Sequence, residues 1–496
     1  MKNIVYFATL SLILVYFAFV IGLISPARHV DPDFFQFLSN SQYYLQGELP
    51  PNIQSLPANP ILLGLIYKML GSTISEIEVA LWINAVSIIG AIYFMYVLLK
   101  DKTNQIIASL ITIFLITHPI IYYTATSNNS EALFALLLMY LFLLIKNKKY
   151  FLATALSAAG VVIRYESVFI FGSFWLANLF EKRDLKKSIK YILLFLIIAV
   201  PLLFTILTTN SGEIVKDSPF LVEVVQRMED LPELRFFTHF FFSLAYFPGF
   251  LLAEQNFWYI CVGILLWSIS FIQISPKISK EKLGVAAFIF TLLYIAFHAC
   301  FPAYLERYFV PIIFSFILVL GIFLKNLSRR QQQVGLIALI FIIINNIWVI
   351  FPSWKAAKFI GLSSDYYASR SIAQETHGKE YTILTPFPEI LEYYYRQQPN
   401  IKTLSVVQIK ELTSCSDLNC AVKKYSKENN PPIIMLYTSI YDWGMNGNYD
   451  ISLKRWYENI GFYELGDFIF SEKSCLWYQR QWEGEYITLK VYMPCE

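Results

Sequence analysis

The chain has 496 residues, 56% of them hydrophobic and only 15% charged, with a mean hydropathy of +0.50. A soluble globule carries closer to ~25% charged residues, so this composition excludes one and indicates a polytopic membrane protein. A formal net charge of +3 is too small to argue for nucleic acid as a partner, and the cations cluster in short loops, where they report topology.

Residues 4–24 are the first apolar run. It is too long, and its small-residue cleavage pattern too weak, for a signal peptide, so it reads as a retained first span. "HVDPDFFQFLSNSQYYLQG" follows directly, at 29–47. Asp31 before Pro32 suits a helix N-cap, and Asp33 falls in the first turn, where a carboxylate gains from the helix dipole. A helix over 33–46 places Phe34, Phe37, Leu38, Tyr44 and Leu45 on one side, with Gly47 as its stop. Such a helix lies flat on the outer leaflet and holds Asp33 at the level of the lipid headgroups. "ANPILLGLIYKMLG" (58–71) is a second apolar piece, shorter than a span. Two interfacial helices here would roof an outward-facing cavity.

Further apolar segments lie at 78–99, 104–123, 131–146, 150–163, 167–180, 188–207, 256–275, 283–302, 307–324 and 334–351. Those within 131–180 fall short of the ~20 residues of a full span and imply tilted or broken helices. "FFTHFFFSLAYFPGFLLAEQ" (236–255) carries Pro248-Gly249 at its middle and breaks the charge alternation if counted as a span, so it reads as interfacial or re-entrant. Lys100, Lys102, the Lys146–Lys149 cluster, "EKRDLKK", "PKISKEK" and "KNLSRR" mark the cytoplasmic side. With Lys2 also inside, about eleven spans give a multi-pass protein of the cytoplasmic (inner) membrane, N-terminus inside and C-terminal domain outside.

After "WVIFPSW" the composition becomes that of a soluble domain, dividing the chain into a transmembrane domain at 1–351 and an extracytoplasmic domain at 352–496. "YTILTP", "IKTLS" and "PPIIMLYT" read as strands and "EILEYYYRQ" as a helix, which together make a small α/β domain with a partly parallel sheet. The tail from Phe468 to Pro494 reads as antiparallel strands. Cys261 and Cys300 lie in apolar segments, while Cys415, Cys420, Cys475 and Cys495 fall in this outer domain. Four cysteines permit three pairings in an oxidising space, and their spacings are not the C-x-x-C of a zinc site. Cys415–Cys420 would close a short loop, and Cys475–Cys495 would tie a hairpin to the chain end.

The ionisable residues of the outer face are the functional candidates, because charges beside membrane segments are costly to keep. Besides Asp31 and Asp33 they are Glu131 in "TSNNSEALF", Arg164 and Glu166 in "VIRYESVF", and Glu306 and Arg307 in "PAYLERYFVPII". Each has a structural alternative. Glu131 suits the first turn of a helix capped at Asn128 or Ser130, and Arg164 and Arg307 suit interfacial snorkelling.

Taken in order, these features resemble the GT-C superfamily of membrane glycosyltransferases that take sugars from polyprenyl-phosphate carriers. The likeness is to the branch of the protein O-mannosyltransferases and aminoarabinose transferase. That branch shows an acid after the first helix, a Leu/Tyr-rich helix closing on Gly, then a Pro-led "P-x-L-L-x-L-x-Y-x-x-x-G" segment. Here stand "DFFQFLSNSQYYLQG" and "NPILLGLIYKMLG". "TSNNSEALFALLL" matches the pattern at the start of span four and carries Glu131; "VIRYES" supplies the basic residue after span five; "ERYFVP" matches a late R-Y-x-x-P. The family spacing selects Asp33 over Asp31 as the catalytic acid.

The resemblance implies a polyprenyl-phosphate-linked sugar as donor and a lipid, glycan or protein hydroxyl as acceptor, with membrane lipid around it. Inverting transfer needs a base for the incoming hydroxyl, and the phosphate leaves without a proton, so one carboxylate suffices. Asp33 fills that role, Glu131 orients acceptor or sugar, and Arg164 or Arg307 suits the two-point geometry of phosphate oxygens, with Asp31 and Glu166 beside them in the binding site. The W-W-D-x-G motif of the metal-dependent oligosaccharyltransferases is not matched by "YDWGMNG", so no metal and no cofactor is expected. The competing class is a multi-span transporter or flippase of a lipid-linked glycan. It would place its charges near the bilayer midplane and show repeat symmetry, and the sequence has neither feature.

Overall fold

The apolar runs are helices in the computed structural model, which describes residues 2–26, 28, 33–48, 50, 56–70, 73–182, 185–207, 281–299, 306–355, 364–375, 378–386, 388–396, 398–428, 430–437, 458, 461–482 and 487–495. Two units result, residues 1–26 with 36–355 and residues 27–35 with 356–496. The first is helical: α1 (Lys2–Ile21), α2 (Asp33–Gln46, its first turn in the second unit), α3 (Ala58–Leu70), α4 (Glu76–Lys102), α5 (Gln105–Thr117), α6 (Pro119–Thr126), α7 (Ser130–Lys146), α8 (Tyr150–Ala159), α9 (Ser167–Lys182), α10 (Leu185–Leu207), α11 (Lys282–Ala299), α12 (Phe309–Asn326) and α13 (Arg329–Lys355). Among the described residues, α1, α4 and α13 are long and apolar enough to cross a membrane, and α5 with α6 makes a fourth crossing if taken as one. The chain is an integral membrane protein. Six further apolar helices are 10–17 residues long, so length alone establishes fewer crossings than the roughly eleven expected. The segments 236–255 and 256–275 lie outside the described residues.

α4 shows why these helices begin and end where they do. Ser75 accepts from the Glu78 amide at 3.3 Å while the Glu78 carboxylate accepts from the Ser75 amide at 2.8 Å, a reciprocal cap. Glu76 and Glu78 sit in its first turn and Lys100 and Lys102 in its last, complementing the helix dipole at both ends. Its interior packs closely on α7: a Cβ on Gly90 would stand 2.7 Å from Leu136 Cδ1, so only a small residue admits this approach. The single span read over 104–123 is instead two helices bent by 60° at His118-Pro119. Proline has no amide to continue α5 but is well placed to open α6, whose Ile120 amide donates to His118 Nδ1 at 3.2 Å.

The two ends of this unit differ in chemistry. At one end Lys102 pairs with Glu281 at 2.9 Å, Lys146 with Asp101, and Lys282 with Asn178, which brings together basic loops distant in sequence. The N-terminus of α7 lies about 25 Å away along the helix, at 1.5 Å per residue, and carries the candidate site.

The second unit holds a five-stranded sheet in the order β2-β1-β3-β5-β4, formed by β1 (Tyr381–Leu384), β2 (Ile401–Leu404), β3 (Ile433–Tyr437), β4 (Ser474–Trp482) and β5 (Ile487–Pro494). β1 is parallel to both β2 and β3, while β5 and β4 are antiparallel, the mixed sheet expected. Its helices are α14 (Ser364–Glu375), α15 (Pro388–Tyr395), α16 (Val406–Thr413), α17 (Leu418–Lys427) and α18 (Phe462–Ile469). The tail read as strand from Phe468 is still helical there, because "FYELGDFI" is amphipathic at helical period and opens after Gly461; strand begins at Ser474. Ile383, Ile434, Leu436 and Val491 from the sheet pack with Ala368, Ile372, Leu391 and Tyr395 from α14 and α15. Cys415 is bonded to Cys420 between α16 and α17, and Cys475 to Cys495 across β4 and the chain end.

Candidate active site

The turn between α8 and α9 is the centre of the site. After α8 the chain makes a 3-10 turn (Gly160–Val162), and the amides of Ile163 and Arg164 both donate to Gly160 O, at 2.9 and 3.0 Å. A Cβ on Gly160 would stand 2.5 Å from Leu137 Cδ2 and 2.6 Å from Ser167 Oγ, so the close approach requires glycine. Ser167 Oγ donates to Ser157 O at 2.7 Å and closes the turn from the far side. The result is a rigid platform that holds Arg164 and Glu166.

Four residues singled out from the sequence meet here. Arg164 Nη1 donates to Glu131 Oε1 at 2.6 Å and to Ser130 Oγ at 3.0 Å, while its Nε and Nη2 both donate to Glu166 Oε1, at 3.0 and 2.6 Å. Arg307, from the 3-10 turn (Glu306–Tyr308) that leads into α12, approaches Glu131 Oε1 with Nε at 3.6 Å, an ion pair longer than a hydrogen bond. Glu131 and Glu166 are buried at 1% and 0% exposure, so their charges have little water to stabilise them. Two carboxylates facing two guanidiniums balance the cluster, and at these distances mutual attraction offsets the desolvation. Burial opposes ionisation of Glu166, but Arg164 and a hydrogen bond from His298 outweigh it and hold its carboxyl down at about 2.

Of the remaining candidates, Asp33 opens α2, in the part of that helix that belongs to the second unit. Asp31 lies outside the described residues. Three aromatic neighbours had not been singled out. His298 Nε2 lies 3.2 Å from Glu166 Oε1, and its ring is stacked on Tyr308, 5.0 Å away, and tilted against Tyr294, 4.3 Å away. The Tyr308 ring also sits under both guanidiniums, with Arg164 Cζ at 5.4 Å and Arg307 Cζ at 5.6 Å. The signal for two of them was in "LLYIAFHAC": Tyr294 and His298 recur at a spacing of four in an otherwise apolar helix, which places both on one face.

The loop before α7 adds polar groups of another kind. Asn129 is the N-cap residue of α7 yet makes no capping hydrogen bond with its side chain. Among the described residues, Thr124 Oγ1, Asn128 Nδ2, Asn129 Oδ1 and Glu166 Oε2 are buried without a protein hydrogen-bond partner. A site with a balanced ionic core and hydrogen-bonding groups beside it suits a polar, hydroxyl-rich ligand.

No family model matches the sequence, and no curated protein matches it. Among solved structures, ArnT from Cupriavidus metallidurans bound to undecaprenyl phosphate aligns over 98% of this chain and 97% of its own, with a TM-score of 0.59 and 14% identity. The apo state of the same protein aligns over the same shares with a TM-score of 0.55 and 12% identity. The chain shares the fold of ArnT. Alignment along nearly the whole of both chains extends that likeness over the helical unit and the α/β unit alike. The resemblance read from short motifs therefore holds at the level of the fold.

Proposed function

We propose that the chain is a membrane glycosyltransferase that moves a sugar from a polyprenyl-phosphate carrier to a hydroxyl of a lipid, glycan or protein on the outer face of the membrane. The observation that carries this reading is the buried Glu131–Arg164–Glu166 cluster with Arg307 at its edge, at one end of a helical unit whose fold is that of a protein bound to undecaprenyl phosphate. Asp33 is the general base, taking the acceptor proton as the hydroxyl attacks the anomeric carbon with inversion. The polyprenyl phosphate departs as an anion and needs no acid, only positive charge close by.

Arg164 already donates to Glu131, Glu166 and Ser130, so it fixes the two acids in place. Arg164 or Arg307, the latter at ion-pair distance from Glu131, meets the phosphate, and Glu131 between the two orients acceptor or sugar. In this reading the lysine-rich end of the helical unit faces the cytoplasm, and the chain crosses the inner membrane about eleven times. Cysteine labelling should place the residue-400 region and Glu131 on the side opposite Lys100; labelling of residue 400 from the cytoplasm would overturn this arrangement.

The deciding experiment is sugar transfer from radiolabelled polyprenyl-phosphate donors in membranes with and without the protein. Asp33→Asn should express normally and lose ~10²–10⁴-fold in rate, whereas Asp31→Asn, which caps a helix about as well, should stay near the wild type. Transfer retained in both variants would remove the base assignment. A protein that moves the intact donor across the bilayer but transfers nothing would be a flippase.

A further inference from the structure

The stretch that opens α2 is held by residues more than 350 positions later in the chain. Residues 27–35 group with the second unit, although the rest of α2 belongs to the first. Within that second unit Phe34 and Phe35 are buried at 0% and 6% exposure. Their rings meet the tyrosines of α15 edge to face: Phe34–Tyr393 at 6.1 Å, Phe35–Tyr393 at 5.5 Å and Phe35–Tyr394 at 6.3 Å. Arg396 lies over the Tyr393 ring at 4.5 Å, and Tyr366 of α14 braces Tyr394 at 6.2 Å. α15 itself is the crossover between β1 and β2, anchored through Leu391 and Tyr395 in the core of the sheet.

We propose that the C-terminal unit is a positioning element for the reaction, in which Tyr393 and Tyr394 clamp Phe34 and Phe35 and so fix the helix turn that carries Asp33. The proposal rests on Asp33 being the base. The first turn of a helix has no preceding turn to bond to and frays unless something ties it down. A general base on such a turn would move by more than the distance over which catalysis survives, since a misplacement of about 1 Å can cost ~10²-fold in rate. Three edge-to-face pairs tie that turn down against the sheet unit and oppose the fraying. The aromatic residues directly follow Asp33 in "DFF", so the clamp acts on the turn itself and not through a long lever. A positioning element built on a sheet is also stiffer than a loop.

The test uses the full chain in lipid nanodiscs with Tyr393→Ala and Tyr393→Phe. Hydrogen exchange at the amides of residues 34–38 should rise at least tenfold in Tyr393→Ala and stay at the wild-type rate in Tyr393→Phe, which keeps the ring. Exchange in β1 and β3 serves as the folding control and should not change. In the transfer assay Tyr393→Ala should lower kcat by roughly 10–100-fold with donor KM unchanged, and Tyr393→Phe should rescue it. Unchanged exchange at 34–38 in Tyr393→Ala would overturn the clamp, as would loss of protection in Tyr393→Phe. Increased exchange with full kcat would overturn the positioning role. If Asp33→Asn transfers normally, the base assignment and the positioning role fall together, while the exchange data still decide whether the clamp exists.

Discussion

Glu166→Gln tests whether the buried cluster is one electrostatic unit. The side chain is fully enclosed, and Arg164 bonds one of its oxygens twice, at 3.0 and 2.6 Å. Its carboxyl is held at about 2 against an ordinary 4.5, and at 1.36 kcal/mol per pH unit that difference contributes about 3 kcal/mol to the folded state at neutral pH. Because the folded-state pKa is the lower one, this contribution is fully present above about pH 4.5 and is lost as pH falls towards 2. Glutamine keeps the shape and removes the charge, leaving Arg164 with Glu131 as its remaining carboxylate partner. Unfolding of the purified protein at pH 7 should show a loss of about 3 kcal/mol, with the gap to the wild type narrowing below pH 4. In an Arg164→Met background the same substitution should cost much less or even stabilise, since it then removes an uncompensated buried anion. Equal losses in both backgrounds, or no loss in either, would refute the reasoning.

Asn128→Leu replaces a buried amide whose Nδ2 has no protein partner; it should raise thermal stability by about 1 kcal/mol while weakening transfer, which calorimetry and the transfer assay together would show. Gly160→Ala forces a methyl group to within 2.5 Å of Leu137 and should cost about 1–3 kcal/mol, with transfer falling further than stability because the turn carries Arg164 and Glu166. In the C-terminal unit, burial pushes the Asp365 carboxyl up to about 6 from 3.8, against a smaller opposing backbone hydrogen bond. A raised pKa means that stability is greatest below about pH 4 and is lost as pH rises through 6, so Asp365→Asn should stabilise this unit at pH 7 by about 3 kcal/mol and leave it nearly unchanged at pH 4. Hydrogen exchange in β1 at the two pH values, corrected for intrinsic rates, measures both.

Local chemistry made part of this architecture legible in the chain. Long apolar runs in a lightly charged chain can be satisfied only as membrane helices, and the helix at 33–46 ends at Gly47 because the backbone there takes φ of +79°. The α/β character of the last third was legible because strand and helix periods alternate over short distances. Glu131, Arg164, Glu166 and Arg307 were each visible as charges beside apolar segments, yet Glu131, Arg164 and Arg307 had a local explanation as first-turn or snorkelling residues.

That these charges meet is a property of the folded chain. Packing brings residue 131 to residues 164, 166 and 307 from three separate segments, and a hydrogen bond between positions 33 residues apart leaves no periodic trace in the chain. The same holds for Tyr294, His298 and Tyr308, whose role depends on a ring stack between α11 and the turn before α12. The attachment of residues 27–35 to the C-terminal unit is non-local in the same sense, since Phe34 reads as part of a lipid-facing side until Tyr393 is placed against it. Periodicity reports which face of an element is apolar, and packing alone settles what that face meets.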